Sequence, residues 1–278
     1  EVMGFNPGQR MDEIEQMLQE SGKADQLAYI YLETPANPTN DLIDIKGCVE
    51  LAKKYSSADK KVIVGVDNTY LGPLWQNPLE LGADLVIYSA TKYIGGHSDL
   101  IAGACSGSAE VIGRVKVLRT FLGNMASPYT GWLLMRSLET LKIRMERQGN
   151  TAAHVAKYLK EHPKVEKVYY LGDLEEGSEQ KRIYDEQCKD AGAMLSFDIK
   201  GGEAEAFRFL NHLKLVKLAV SLGSTESLAQ HPATMTHAGV DPELKQILGI
   251  TNKMVRLSVG VEAHEDLIHD LEKAFEQV

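Results

Sequence analysis

Asp84-Leu85-Val86-Ile87-Tyr88-Ser89-Ala90-Thr91-Lys92 is the stretch that decides the fold. An apolar, β-branched run ends abruptly in two hydroxyl residues and a lysine. Upstream, Val62-Ile63-Val64-Gly65-Val66 is a similar run that ends at Asp67. A third, Leu27-Ala28-Tyr29-Ile30-Tyr31-Leu32, stops before Pro35 and Asn37-Pro38. Between the first two in chain order lies a segment with helical spacing: Ile45, Cys48, Val49, Ala52. Short apolar runs separated by helices predict parallel strands covered on both faces. Ligands of such sheets sit beyond the carboxyl ends of the strands. Asn37, Asp67 and Ser89 through Lys92 all fall there, so three runs deliver polar groups to one sheet edge.

The pattern continues with a further strand over Ile101–Gly107 and a helix over Ala109–Leu118. From Tyr129 to Leu159 the spacing of Leu133, Leu134, Leu138, Leu141 and Met145 predicts one long helix without proline, of the kind that joins two domains. The second half opens with a strand at Val165–Tyr170, followed by an acidic, solvated loop from Gly172 to Glu179. Ala193–Ile199 alternates like a half-exposed strand. Glu203–Leu213 reads as a helix, Val255–Val259 as a strand and Glu265–Phe275 as a final helix. One polar strand face predicts a smaller antiparallel sheet with helices on one side. The expected division is 1–143 for the larger α/β domain and 144–278 for a smaller α+β domain.

At 278 residues with a net charge of −9, the chain is a poor match for a nucleic-acid backbone or an anionic membrane. No apolar run approaches the roughly 20 residues that span a bilayer. Cys48, Cys105 and Cys188 are scattered and odd in number, which reads as thiols in a reducing compartment and makes the cytoplasm the expected location. His231 and His237 fit no usual zinc spacing and have no cysteine near, so no metal site is expected.

The residues at the strand ends match the needs of pyridoxal phosphate (PLP). A lysine amine forms a Schiff base with its aldehyde only when unprotonated, and desolvation at the end of an apolar strand lowers a lysine pKa. Once displaced by substrate, the same amine is placed to move protons. Asp67 would pair with the ring nitrogen, and the hydroxyls of Ser89 and Thr91 would hold the phosphate. Taken singly, Lys92 reads as a surface lysine and Asp67 as a helix N-cap; together the cofactor reading is the stronger. In the second half, Val255-Arg256-Leu257-Ser258 puts an arginine inside an apolar strand. It needs either a structural ion pair or a carboxylate ligand, and spacing alone leaves both open.

With those residues in hand, the chain resembles the γ-family of fold-type I PLP enzymes, the cystathionine and methionine metabolism group. The resemblance rests on Glu33-Thr34-Pro35-Ala36-Asn37-Pro38, Val66-Asp67-Asn68-Thr69-Tyr70, Ser89-Ala90-Thr91-Lys92-Tyr93-Ile94-Gly95-Gly96-His97, Ser221-Leu222-Gly223, His231-Pro232-Ala233-Thr234-Met235-Thr236-His237 and Arg256-Leu257-Ser258-Val259-Gly260. It implies an aspartate-aminotransferase-like large domain, truncated, plus a smaller C-terminal domain. It implies that Lys92 carries the cofactor and shuttles protons, Asp67 holds the ring nitrogen, and Ser89 and Thr91 contact the phosphate. Asn37 would bond the ring oxygen. Arg256, helped by Ser221, would bind the substrate carboxylate, with Thr236 in support. It implies a homotetramer built from dimers that share active sites. The implied reactions remove the α proton and then the γ substituent, ending in γ-elimination or γ-replacement. Ala229-Gln230-His231-Pro232 resembles methionine γ-lyases, whereas His-Pro-Ala-Thr-Met-Thr-His is shared with cystathionine γ-synthases; elimination from L-methionine is the expectation. The family's first third, with its phosphate-cradling turn, stacking aromatic and arm to the neighbouring subunit, is expected to be missing from this sequence. A fragment acting only in assembly is the non-enzymatic alternative.

Overall fold

The computed structural model describes residues 1–6 and 8–278. The first half holds a four-stranded sheet, β1 (Tyr29–Glu33), β2 (Ile63–Asp67), β3 (Leu85–Ser89) and β4 (Gly103–Gly107), in that spatial order. The first three are parallel, as the separated apolar runs predict; β4 turns back antiparallel to β3. Glu33 and Asp67 are register partners, and Asp67 lies opposite Ile87, so the strand ends align as expected.

One expectation is corrected. Within this chain the sheet is covered on one face. Ile30, Leu32, Val64 and Val66 pack against Ile14 of α1 (Met11–Glu20) and against Cys48, Val49 and Ala52 of α2 (Ile45–Lys54). The alternate residues Tyr29 and Tyr31 stay exposed. Asp44 caps α2 by accepting from Gly47 N at 2.9 Å, and Lys53 and Lys54 close its last turn, where cations are favoured.

After the short α3 (Gly72–Trp75) and then α4 (Ala109–Leu122), the long predicted helix is two: α5 (Pro128–Leu138) and α6 (Leu141–Glu161). The break has a visible cause. Arg144 reaches back to Thr140 Oγ1 at 3.2 Å and to Ser137 O at 3.0 Å, the second a carbonyl that a continuous helix would bond internally.

The second half holds a five-stranded sheet. Its strands are β5 (Val165–Tyr169), β6 (Met194–Ile199), β7 (Lys217–Leu218), β8 (Leu228–Gln230) and β9 (Met254–Ser258), in the order β5-β6-β9-β8-β7. It is antiparallel except for the β7–β8 pair. Between β5 and β6, the helix α7 (Glu179–Gln187) follows the acidic loop; its mostly polar residues give little apolar periodicity. The chain adds α8 (Glu203–His212), α9 (Pro242–Ile247) and α10 (His264–Phe275). Leu195, Phe197, Ile199, Val255 and Leu257 form the apolar face and pack with Val155, Leu159, Phe209, Leu271 and Phe275 from the helices.

The expected half-exposed strand over 193–199 is instead wholly buried. At Ser196 its polar face meets the first half of the chain, and at Asp198 it is covered from within the second half. Ser196 Oγ donates to Pro38 O at 2.7 Å, and Asp198 accepts from Tyr169 Oη at 2.9 Å and Thr251 Oγ1 at 2.7 Å. Arg256 is the register partner of Ser196, so strand alternation puts it on this same inter-half face. Further bonds tie the halves: Asn40 Nδ2 donates to Tyr169 O at 2.8 Å, and Leu42 N to Gln180 Oε1 at 2.7 Å.

Candidate active site

Lys92 begins a tight turn directly beyond β3. Its amide donates to Ser89 O at 3.0 Å, and its carbonyl accepts from Gly96 N at 2.7 Å. The next residue, Tyr93, is buried edge-on against Trp75, with ring centroids 5.6 Å apart. That anchor fixes the backbone while the lysine side chain turns toward the second half. Lys92 Nζ donates to Ser221 Oγ at 3.0 Å. Desolvation, and secondly the positive charge of Arg256, pull its pKa below the ordinary lysine value.

The loop bearing Ser221 is pressed onto this turn. Gly223 has φ +76°, and a Cβ there would come within 2.8 Å of Tyr93 N. Gly223 N also donates to Ser258 Oγ at 2.9 Å. Only glycine allows both the left-handed backbone and the close approach.

Arg256 is 2% exposed. Its Nη1 donates to Asn37 Oδ1 at 3.0 Å, and Nη2 donates to Val220 O and Ser221 O at 2.9 Å each. Among the described residues no carboxylate lies within the 4.0 Å of an ion pair with it. The guanidinium is therefore held by neutral oxygens, and burial pulls its pKa down. A buried arginine oriented without an anionic partner is suited to a carboxylate ligand.

Asp67 ends β2. Thr69 N donates to its Oδ1 at 3.0 Å, and Tyr31 Oη donates to its Oδ2 at 3.3 Å. Thr69 also accepts from Ser89 N at 2.7 Å, coupling the ends of β2 and β3. Tyr31 is exposed overall, but partial desolvation of its hydroxyl end, then the charge of Asp67, pushes the phenol up to about 12. Glu33, beside Asp67 in register, is raised by desolvation first and by Asp67 second.

Lys92, Ser221, Arg256 and Asn37 thus form one bonded group, with Asp67 and Ser89 on the same sheet edge. The hydroxyl of Ser89 makes no hydrogen bond to the described residues. Thr91 Oγ1 is occupied locally, accepting from Ala102 N at 3.0 Å and donating to Ala102 O at 3.3 Å. Thr236 contacts neither Lys92 nor Arg256 directly; it bonds the side chain of Gln230 at 3.0 Å and His237 Nδ1 at 2.9 Å. Asn37 spends its oxygen on Arg256, which leaves its amide nitrogen for a ligand. An amine of lowered pKa, a carboxylate and an unbonded hydroxyl at adjoining strand ends make a donor set that fits a phosphorylated pyridine aldehyde.

The sequence matches the family described as Cys/Met metabolism PLP-dependent enzyme over residues 3–276. The chain belongs to this family. An L-methionine gamma-lyase of Fusobacterium nucleatum subsp. nucleatum is 44% identical over 252 residues, covering 90% of this chain and 62% of the relative. The cystathionine gamma-lyase of Homo sapiens is 44% identical over 246 residues, covering 88% of this chain and 59% of the relative. Two solved structures are similar. Cystathionine gamma-lyase from Lactobacillus plantarum, complexed with L-serine, superposes with a TM-score of 0.84 at 39% identity, over 90% of this chain and 64% of that one. Cystathionine gamma synthase from Xanthomonas oryzae pv. oryzae, in complex with cystathionine, gives 0.86 at 37% identity, over 95% and 66%. The chain therefore spans about three fifths of the length of these curated relatives.

In this PLP-dependent family member, sequence reasoning passed over several side chains that hold the site. Tyr31 and Thr69 flank Asp67. Gln76, fully buried, donates to Thr34 O at 2.9 Å and to Asn68 Oδ1 at 2.8 Å, and accepts from Gln187 at 3.2 Å. It thereby ties the strand ends bearing Asn37 and Asp67 to α7. Thr69 and Gln230 each had a signal, as parts of the Val66–Tyr70 and Ala-Gln-His-Pro runs. Among the described residues, no group of three or more His, Cys, Asp or Glu side chains could hold a metal ion. No described helix is long and apolar enough to cross a membrane.

Proposed function

We propose that the protein is a PLP-dependent carbon–sulfur lyase that acts on L-methionine or a related γ-substituted amino acid. With methionine and water it releases 2-oxobutanoate, ammonia and methanethiol. The observation that carries the reading is the pairing of a desolvated Lys92 amine, 3.0 Å from Ser221 Oγ, with a buried Arg256 that has no ionic partner among the described residues.

Lys92, Asp67, Ser89, Thr91 and Asn37 are the residues that would hold pyridoxal phosphate. When bound, it supplies the electron sink that stabilises negative charge at the substrate α carbon. Arg256 receives the substrate carboxylate on the N–H groups that Asn37, Val220 and Ser221 leave free, which fixes the α carbon relative to Lys92. The Lys92 amine, its pKa lowered by burial and by Arg256, takes the α proton and returns protons to neighbouring positions. Ser221 holds that amine through its hydroxyl, and Asp67 has its carboxylate held at the strand end by Thr69 and Tyr31.

Replacement at the γ position is the second reading, favoured by the 0.86 TM-score to a cystathionine gamma synthase. The chain is further proposed to act as a homo-oligomer, a tetramer of paired dimers, in the cytoplasm. A band of exposed apolar residues on α4, α5 and the segment between them, including Phe121, Met125, Trp132 and Met135, supports association with another copy. The test is to supply the full-length protein with PLP and L-methionine and to quantify 2-oxobutanoate and methanethiol. Release of both supports the lyase. Cystathionine formed from an acylated homoserine and cysteine, with no products from methionine, supports the synthase.

A further inference from the structure

Gln230 lies on β8 directly opposite Arg256 on β9 and is fully buried. An arginine offers only donors, so the amide must turn its oxygen toward the guanidinium. In that orientation Oε1 lies 3.0 Å from Arg256 Nη1, 3.1 Å from Nε and 3.2 Å from Nη2, near-equal distances that set it against the flat face of the guanidinium, and it accepts from Thr236 Oγ1 at 3.0 Å. Thr236, having donated its hydroxyl proton, accepts from His237 Nδ1 at 2.9 Å. Hydrogen bonds thus run from His237 through Thr236 to Gln230, whose oxygen dipole rests against the face of the Arg256 cation. Asn37, Val220 and Ser221 hold the guanidinium with further neutral oxygens.

We propose that Gln230 is a positioning residue: its amide oxygen, held in orientation by Thr236, aims the Arg256 fork at the substrate carboxylate. The inference rests on the reading that Arg256 receives that carboxylate. It assigns a role to the glutamine of the Ala-Gln-His-Pro run, which no step of the proposed reaction uses. An oxygen facing the cation is what the position demands, so glutamate suffices there and an apolar isostere does not.

The test uses the full-length holoenzyme and its Gln230→Leu, Gln230→Glu and Thr236→Val forms. Equilibrium binding of L-norleucine, which has no γ leaving group, is read from the visible absorbance of the bound cofactor. Steady-state constants are measured with L-methionine. Losing a buried polar contact to a charged group corresponds to a weakening of about 10-fold. Gln230→Leu is expected to raise the norleucine Kd and the methionine KM by that factor while kcat falls less than about threefold. Gln230→Glu restores both constants to within about threefold of wild type, and Thr236→Val gives an intermediate rise, because it frees the amide without removing its oxygen. Unchanged Kd in Gln230→Leu overturns the proposal, as does a Glu variant no better than Leu. A wild-type protein that binds neither amino acid overturns the functional reading, and this inference with it.

Discussion

Replacing Arg256 with leucine separates the two things this residue does. Structurally, the change removes the donors that serve Asn37 Oδ1, Val220 O and Ser221 O. A buried acceptor left without a donor costs about 1–3 kcal/mol. Removing a buried charge offsets part of that, so the net loss of stability is expected to be about 1–3 kcal/mol, a magnitude ordinary for a single substitution. Functionally, the change removes a charge-assisted fork to the ligand carboxylate, which costs about 2–5 kcal/mol, or roughly 30- to 4,000-fold in affinity. The assay is binding of an amino acid compared with its methyl ester, which lacks the anionic carboxylate. The acid is expected to lose affinity in that range while the ester changes less than about threefold, since it gains little from the fork. A second readout follows from the electrostatics. Arg256 is the second cause of the lowered Lys92 pKa, so its removal moves that pKa upward. Equal losses for acid and ester, or a Lys92 pKa that does not rise, would refute the reasoning.

The pH dependence of cofactor capture by Lys92 reports its free-amine fraction. Because burial and Arg256 lower the lysine pKa, the midpoint is expected below 10.5 in the wild-type protein, with capture lost as pH falls through that midpoint; stopped-flow absorbance measures it. Gly223→Ala forces a Cβ to 2.8 Å from Tyr93 N at φ +76° and is expected to destabilise the protein by about 1–3 kcal/mol, read as a lower Tm. Gln76→Leu leaves Thr34 O and Asn68 Oδ1 without their donor and is expected to cost about 2–4 kcal/mol in denaturant unfolding, with weaker cofactor retention because both Asn37 and Asp67 sit beyond those groups.

The strands bearing Asp67 and Lys92 were legible because each is an apolar run that ends in chemistry. The single long helix was misread because the apolar spacing persists through 137–140, while the break depends on one arginine, Arg144, reaching back across the junction. Strand β6 read as half-exposed because Ser196 and Asp198 are polar; Ser196 is taken up by Pro38 and Asp198 by Tyr169 and Thr251, all distant in sequence. Helix α7 was missed because Ile183 and Tyr184 are its only apolar residues, and Gln180, Arg182 and Gln187 supply the rest of its docking. At the site, Lys92, Asp67 and Arg256 were named from their residue types. The supporting side chains were not, since Tyr31, Thr69 and Gln76 are ordinary residues whose roles come from contacts across strands and loops. Thr236 was assigned to the site by resemblance alone, and it reaches Arg256 only by way of Gln230.

The most direct measurement of the central claim is the site of cofactor attachment. The full-length protein is incubated with pyridoxal phosphate, reduced with borohydride, digested and sequenced by mass spectrometry. A phosphopyridoxyl group on Lys92 at close to one per chain, absent in Lys92→Ala, is the expected result. Label spread over exposed lysines with Lys92 unmodified would contradict it.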